Sequence, residues 1–389
     1  MKILFLAPGL LYSQKRPFEK FKQLGTESEI YGISKELAKI GHDVYVIGRF
    51  RELSKTGHEI IEGVKFIDIK MPHLKDEIIY ETGSLLLYSK LAMKTIKNIN
   101  PDIINLNDRF SAYFVSKLNI PMTFVTHNPD AMEFYKDFSL ENNFLNKYFF
   151  PFKKKIEEEV LSRSNMIIAL NSDIQNYLYK KGFTNISLIP NGIDANKYRN
   201  EGDDNYILFA GRYNKVKGIE YLLQSFLRIH QNFSTTLLLV GSGTEEESIK
   251  KFTTTNNMEH KVKFVSTLDK IELRECLSKC SLFVLPSLFE CMPVTLLEAM
   301  ASGKTVIASD IAGPNDIIKH GHNGFLFEKQ NTNELKKLLE LCLSDKKLRE
   351  KIGTNARTTI EEKYTFKQVA QQYIDNYEHI FKMNGNIAP

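Results

Sequence analysis

One local pattern recurs along the carboxyl half of this 389-residue chain and restricts its fold class: a short apolar run, a turn, then apolar residues at helical spacing. Residues 205–210 form the first such run. Gly211, Arg212, Tyr213, Asn214, Lys215, Val216, Lys217 and Gly218 follow, and then Ile219, Leu222, Leu223 and Phe226 recur at the spacing of one helix face. The run 236–240 and the turn Gly241-Ser242-Gly243 repeat this about 30 residues later. Residues 281–285 begin it again, with Pro293 at the place of a first helical turn and Gly303 at a helix end. Apolar runs alternating with helices read as buried strands of a doubly wound parallel sheet.

The amino half carries the same alternation. Its expected strands are 2–7, 43–48, 64–69, 102–106, 121–126, 165–170 and 186–189, and those of the second half are 206–210, 236–240, 262–265, 281–285 and 304–308. Asn191-Gly192, a strong turn signal, separates the two series. The expected organisation is α/β, with Rossmann-like doubly wound parallel-sheet domains at 1–190 and 191–365 and a last helical segment, Phe366 to Phe381, within 366–389. A chain of this length holds two or three domains, and 42% hydrophobic residues is ordinary for a soluble globular protein.

A net charge of +5 is far from the basic signature of a nucleic-acid binder, so no nucleic-acid partner is expected. The first apolar run is too short for a signal peptide and no run approaches 18 residues, which together lead to the expectation of a cytoplasmic protein. Cys276, Cys280, Cys291 and Cys342 form no C-x-x-C pair. That points to free thiols in a reducing compartment and away from zinc.

Open α/β sheets bind ligands at the carboxyl ends of their strands, which selects a few loops as candidate sites. A glycine turn feeding a helix amino terminus offers free N–H groups and the positive end of the dipole to an anion; Arg212 adds a planar fork and Lys217 a mobile point charge. Taken alone, the same loop reads as a solvated surface turn. Neither it nor Gly241-Ser242-Gly243 has the dinucleotide fingerprint G-x-G-x-x-G. After 281–285, Glu290 falls on the loop and Glu298 about 1.5 turns into the next helix, so two carboxylates can hold different parts of one elongated ligand. Their spacing carries no weight by itself, since Glu19/Glu27 and Glu133/Glu141 share it. His127 closes the run 122–126, where a lone histidine is more often structural. The stretch from Pro8 to Gly25 contains Tyr12, Lys15, Arg16, Phe18, Lys20, Phe21 and Lys22, a mixture suited to solvent or to an anionic acceptor or lipid surface. The run Lys153 to Glu159 reads as a solvated helix face with i,i+4 pairs.

Taken in order, Gly211-Arg212, Lys217-Gly218, Gly241-Ser242-Gly243, Pro286-Ser287 with Glu290 and Glu298, and Asn323-Gly324 resemble the retaining nucleotide-sugar glycosyltransferases of the family 4 group. Gly25-Thr26-Glu27, Gly41-His42-Asp43-Val44 and Ile189-Pro190-Asn191-Gly192-Ile193-Asp194 are similar too, so the likeness covers essentially the whole chain. It implies the GT-B architecture, two such domains facing a cleft, with an acceptor-side first domain, a donor-binding second domain and a last helix that returns to the first.

The resemblance also implies roles. Arg212 and Lys217 would meet the donor diphosphate, Glu298 the ribose hydroxyls, Glu290 the hydroxyls of the donor sugar, and His127 the transferred sugar. Gly25, Thr26, Gly211, Gly241, Gly243, Met292, Val294 and Thr295 would complete the donor site. The chain departs from the family where Leu24 replaces the first of two glycines, Cys291 stands where glycine is common, and Ala312-Gly313-Pro314-Asn315-Asp316 replaces glycine-glycine-x-x-glutamate. Asp130 is a weaker candidate. The activity implied is retaining transfer of a hexose-type sugar from a nucleoside-diphosphate sugar to an acceptor hydroxyl on a glycan, lipid-linked or small molecule. No cofactor or metal is expected, as no D-x-D occurs, and 12–22 could give peripheral membrane contact. A sugar-nucleotide epimerase of the same architecture and a non-catalytic sugar-nucleotide-binding subunit are the alternatives.

Overall fold

The computed structural model describes residues 1–11, 25–50, 57–70, 77–127, 144–266 and 268–383. Its strands are β1 Lys2–Leu11, β2 Asp43–Phe50, β3 His58–Ile61, β4 Val64–Asp68, β5 Ile103–Leu106, β6 Met122–Thr126, β7 Met166–Ala169, β8 Ile186–Leu188, β9 Tyr206–Ala210, β10 Thr236–Val240, β11 Val262–Val265, β12 Leu282–Leu285, β13 Thr305–Ser309 and β14 Phe325–Phe327, and all but β3 and β14 fall on the apolar runs of the sequence. They form two sheets, in the orders β3-β4-β2-β1-β5-β6-β7-β8 and β11-β10-β9-β12-β13-β14. All pairings are parallel except β3 with β4. Chain order reverses beside β1 in the first sheet and between β9 and β12 in the second, so both sheets are doubly wound.

The chain divides into two compact units after Gly192. One unit runs up to that residue and takes in the terminal helix Phe366–Met383; the other is Ile193–Thr365. In the second unit the helices lie in two layers. Ile219–Leu227 packs against Thr332–Ser344 and Glu246–Thr255, and Val294–Ala301 packs against Lys346–Lys363 and Lys270–Lys279. Ile207, Phe209, Leu222, Phe226, Leu237, Leu239, Leu282, Val284, Ile307 and Leu339 fill the core between sheet and first layer, all fully buried. Removal of these aliphatic and aromatic side chains from water is the main force holding the unit together.

The terminal helix joins the first unit by its sequence. Val369, Ala370, Tyr373, Ile374, Tyr377, Ile380 and Phe381 make one buried stripe at helical spacing. The helix packs on Gly25–Lys39, where Gly32 gives it room: a Cβ there would lie 2.3 Å from the Phe366 ring. Beneath it Asn105 Nδ2 donates to Tyr377 Oη at 2.5 Å, and Thr123 Oγ1 donates to Asn105 Oδ1.

Three elements differ from the sequence expectation. β1 continues past residue 7, with an irregularity between Leu6 and Leu10 after which Leu10 and Leu11 pair with Arg49 and Phe50. Residues 8–11 are thus strand, and the connection begins later than the Pro8 expected. β3 and β14 were not expected at all. Both are edge strands of four and three residues, too short for a period-2 pattern to stand out.

Candidate active site

The loops after β9 and β12 meet because those strands are neighbours despite the two strands between them in sequence. After Ala210 the chain makes a 3-10 turn, Lys215–Lys217, capped by Asn214, whose Oδ1 accepts from the Lys217 N–H at 3.1 Å. Gly218 then adopts φ +59°, and a Cβ there would lie 2.1 Å from the Pro286 carbonyl oxygen. Only glycine fits that combination of left-handed backbone and close approach. The Leu288 N–H donates to the Val216 carbonyl at 2.7 Å and ties the loops together.

Lys217 Nζ consequently donates to Glu290 Oε1 at 2.6 Å, and Ser287 Oγ donates to the same oxygen at 2.7 Å. Glu290 is 8% exposed. Burying a carboxylate is costly without a cation and a hydrogen bond beside it, and Glu290 has both. Arg212 lies on the same loop with its side chain exposed to solvent. Two basic residues on one loop that feeds a helix amino terminus suit a multiply charged anion.

Gly241 and Gly243 let a third loop dock. A Cβ on Gly241, at φ +145°, would meet the Gly211 carbonyl oxygen at 1.9 Å, and one on Gly243 would meet the Tyr213 carbonyl oxygen at 2.3 Å. The Tyr213 N–H donates to Ser242 O at 2.9 Å and the Glu245 N–H to Tyr213 O at 2.9 Å. Gly211, Gly241 and Gly243 therefore form one backbone layer at the ends of β9 and β10.

Glu298 sits in Val294–Ala301, 1% exposed. Its Oε1 accepts from Tyr198 Oη at 3.0 Å and from Lys270 Nζ at 2.5 Å, whereas Oε2 is buried with no hydrogen-bond partner among the described residues. Burial and the adjoining carboxylate hold the Tyr198 hydroxyl well above the usual tyrosine range. Met292, buried, and the half-buried Val294 and Thr295 lead into this helix. Gly313, at φ +83°, brings the 312–316 turn against the Cys291 carbonyl oxygen, 2.6 Å from where a Cβ would be. Burial, reinforced by Glu290, pushes the Cys291 thiol up to about 12.

The remaining candidates belong to the first unit. His127 follows β6; its Nε2 is buried without a partner among the described residues, and burial pulls its pKa down to about 4. The ring is neutral at physiological pH, able to offer one donor and one acceptor. Gly25 and Thr26 begin the helix Gly25–Lys39, with Thr26 half-buried. Leu24, the 12–22 stretch and Asp130 lie outside the described residues. Among the described residues no three His, Cys, Asp or Glu side chains stand together to hold a metal, and no helix is long and apolar enough to cross a membrane. All four cysteines are free thiols.

Three site residues escaped the sequence reading: Ser287, Tyr198 and Lys270. Ser287 lies inside the Pro286-to-Glu290 segment but had no role given to it. Lys270 follows the capping box Asp269…Glu272, a signature of a helix start that a closer reading detects. Nothing around Tyr198 signals its place, since it reaches Glu298 from 100 residues away.

Residues 192–359 match the family model described as Glycosyl transferases group 1, and residues 25–197 match Glycosyltransferase Family 4. An uncharacterized glycosyltransferase of Methanocaldococcus jannaschii is 29% identical over 317 residues, 80% of this chain and 84% of that one. The structure of sucrose-phosphate synthase from Thermosynechococcus elongatus superposes with a TM-score of 0.81 at 20% identity, covering 98% of this chain and 100% of that one. The HepE protein of Anabaena, solved in complex with UDP-glucose, superposes with a TM-score of 0.70 at 17% identity, covering 97% and 100%. With a family 4 amino-terminal half, a group 1 carboxyl-terminal half and two doubly wound parallel sheets, the chain belongs to the glycosyltransferases of GT-B fold.

Proposed function

We propose that the protein is a retaining, metal-independent glycosyltransferase that moves a hexose-type sugar from a nucleoside-diphosphate sugar to an acceptor hydroxyl. The observation that carries this reading is the Lys217–Glu290 pair at the reversal of strand order, beside a helix amino terminus and the exposed Arg212. Breaking the bond between sugar and diphosphate leaves an oxocarbenium-like sugar and a phosphate that gains negative charge. Lys217 and Arg212 stabilise that charge, Glu290 orients the sugar hydroxyls, and Glu298 takes the ribose through its open oxygen. His127, neutral, hydrogen-bonds a hydroxyl of the transferred sugar. Gly25, Thr26, Met292, Val294 and Thr295 complete the donor contacts. The acceptor attacks from the face the phosphate leaves, and that phosphate takes its proton, so the anomeric configuration is kept. A cytoplasmic location suits such a donor, with the basic and aromatic residues of 12–22 touching an anionic acceptor or lipid surface.

That the Anabaena protein was solved with UDP-glucose supports a sugar-nucleotide donor here. The test is thermal stabilisation by a panel of nucleoside-diphosphate sugars, followed by product analysis with the ligand that binds. A ligand at 100 times its dissociation constant adds about 2.7 kcal/mol. A glycoside of unchanged anomeric configuration is the expected product. Absence of stabilisation by every sugar nucleotide would overturn the reading, and rearranged donor formed without acceptor would make the protein an epimerase.

A further inference from the structure

Glu298 presents two unlike oxygens. Oε1 is saturated by the Tyr198 hydroxyl and the Lys270 ammonium, at 3.0 and 2.5 Å, while Oε2, equally buried, has no partner among the described residues. A buried acceptor left open costs stability unless a ligand donor fills it. The two donors come from separate parts of the unit. Tyr198 follows the 3-10 turn Ala195–Lys197 and is 8% exposed; Lys270 opens the helix Lys270–Lys279 behind the Asp269 cap, its side chain 22% exposed. Arg274, one turn along, donates from Nε to the Lys270 carbonyl and stands over the Tyr198 ring at 5.9 Å, bracing both.

We infer that Lys270 and Tyr198 are positioning residues for nucleotide recognition: by occupying Oε1 they fix Oε2 as the one acceptor offered to the ribose hydroxyls. This rests on the sugar-nucleotide reading above. Lys270 supplies charge: its ammonium, 2.5 Å from Oε1, offsets the cost of taking a carboxylate that is 2% exposed out of water. Tyr198 supplies direction, since one hydroxyl donor at Oε1 sets the rotation of the carboxylate plane. Neither touches the reacting atoms, so both act on donor affinity and leave the chemical step alone.

The test compares UDP, ADP and GDP with the 2′-deoxy and 2′,3′-dideoxy forms of whichever binds, using the full chain and its Lys270→Met, Lys270→Arg and Tyr198→Phe variants. Wild type is expected to bind the ribonucleotide at least 10-fold more tightly than the dideoxy form. Lys270→Met should lose most of that discrimination by weakening the ribonucleotide alone, Lys270→Arg should recover it, and Tyr198→Phe should fall between; kcat should change less than threefold in all. Weakening of ribo and dideoxy nucleotides by the same factor in Lys270→Met overturns the inference, as does retained discrimination, and both leave the sugar-nucleotide reading intact. Wild type that binds none of the three diphosphates brings down both. Circular dichroism confirms that each variant is folded, and should Lys270→Met not fold, the same comparison on Tyr198→Phe decides.

Discussion

Both carboxylate oxygens of Glu29 accept from the Gly192 N–H, at 2.9 and 3.0 Å, so a buried acid in the helix Gly25–Lys39 holds the last residue before the second unit. Burial raises the Glu29 pKa to about 8, opposed in part by that backbone hydrogen bond. Phe366 closes over the same place, with a Cβ on Gly192 only 2.7 Å from its ring.

Stability should therefore fall as pH rises through this window. The folded state binds the Glu29 proton up to about pH 8, the unfolded chain only up to its ordinary value of 4.5, so between the two the folded state carries more protons and loses stability with each step upward. Glu29→Gln keeps a carbonyl acceptor for Gly192 and has no proton to lose. Its melting temperature should vary less between pH 5 and 8 than that of wild type, and parallel curves for the two would refute this account.

Lys217→Ala and Arg212→Ala should each lower turnover by at least about two decades with the fold intact, the usual effect of removing a preorganised donor to developing charge. Lys217→Ala also leaves Glu290 buried beside Ser287 alone, so its melting temperature should drop as well, whereas that of Arg212→Ala should not. Steady-state kinetics with the donor identified by thermal shift checks the first statement and calorimetry the second. Activity in excess chelator should equal that without it.

Glu298→Gln should raise the donor KM more than it lowers kcat, because a ribose contact is made equally in ground and transition states. Unchanged donor affinity would remove Glu298 from the ribose site.

How far the sequence carried depends on what each residue's neighbours are. The positions of Arg212, Lys217, Glu290 and Glu298 on loops and a helix at strand ends could be read because each follows an apolar run, whereas the sheet order, which sets β9 beside β12, could not. Ser287 and Lys270 were half-visible: their local structure could be read, their partners could not. Tyr198 could not be found, since its hydrogen bond spans 100 residues and depends on packing no short-range period encodes. The edge strands β3 and β14 were lost for a related reason, since strands of four and three residues take their shape from pairing with β4 and β13. The terminal helix shows the middle case. Its existence as a helix from Phe366 to Phe381 was readable, yet only the contacts of Asn105 and Gly32 say what it is buried against.

That last contact yields the final prediction. Gly32 has Phe366 ring atoms at 2.3, 2.4 and 2.4 Å from where a Cβ would stand, far inside van der Waals contact. Gly32→Ala ordinarily stabilises a helix interior by roughly 0.5–1 kcal/mol. Here the ring must move, and overpacking of this kind costs about 1–3 kcal/mol, so the net effect should be destabilisation. Phe366→Ala alone should also destabilise, by loss of buried aromatic area, though by less than the roughly 3–5 kcal/mol of a full core site because Phe366 is half-buried. In the double variant the new methyl faces the space the ring has left, and the helix-propensity gain returns. The two changes should therefore be strongly non-additive, with the double variant at least as stable as Phe366→Ala, a result read from a denaturant double-mutant cycle. Simple additivity would mean that the terminal helix does not seat Phe366 against Gly32 in solution.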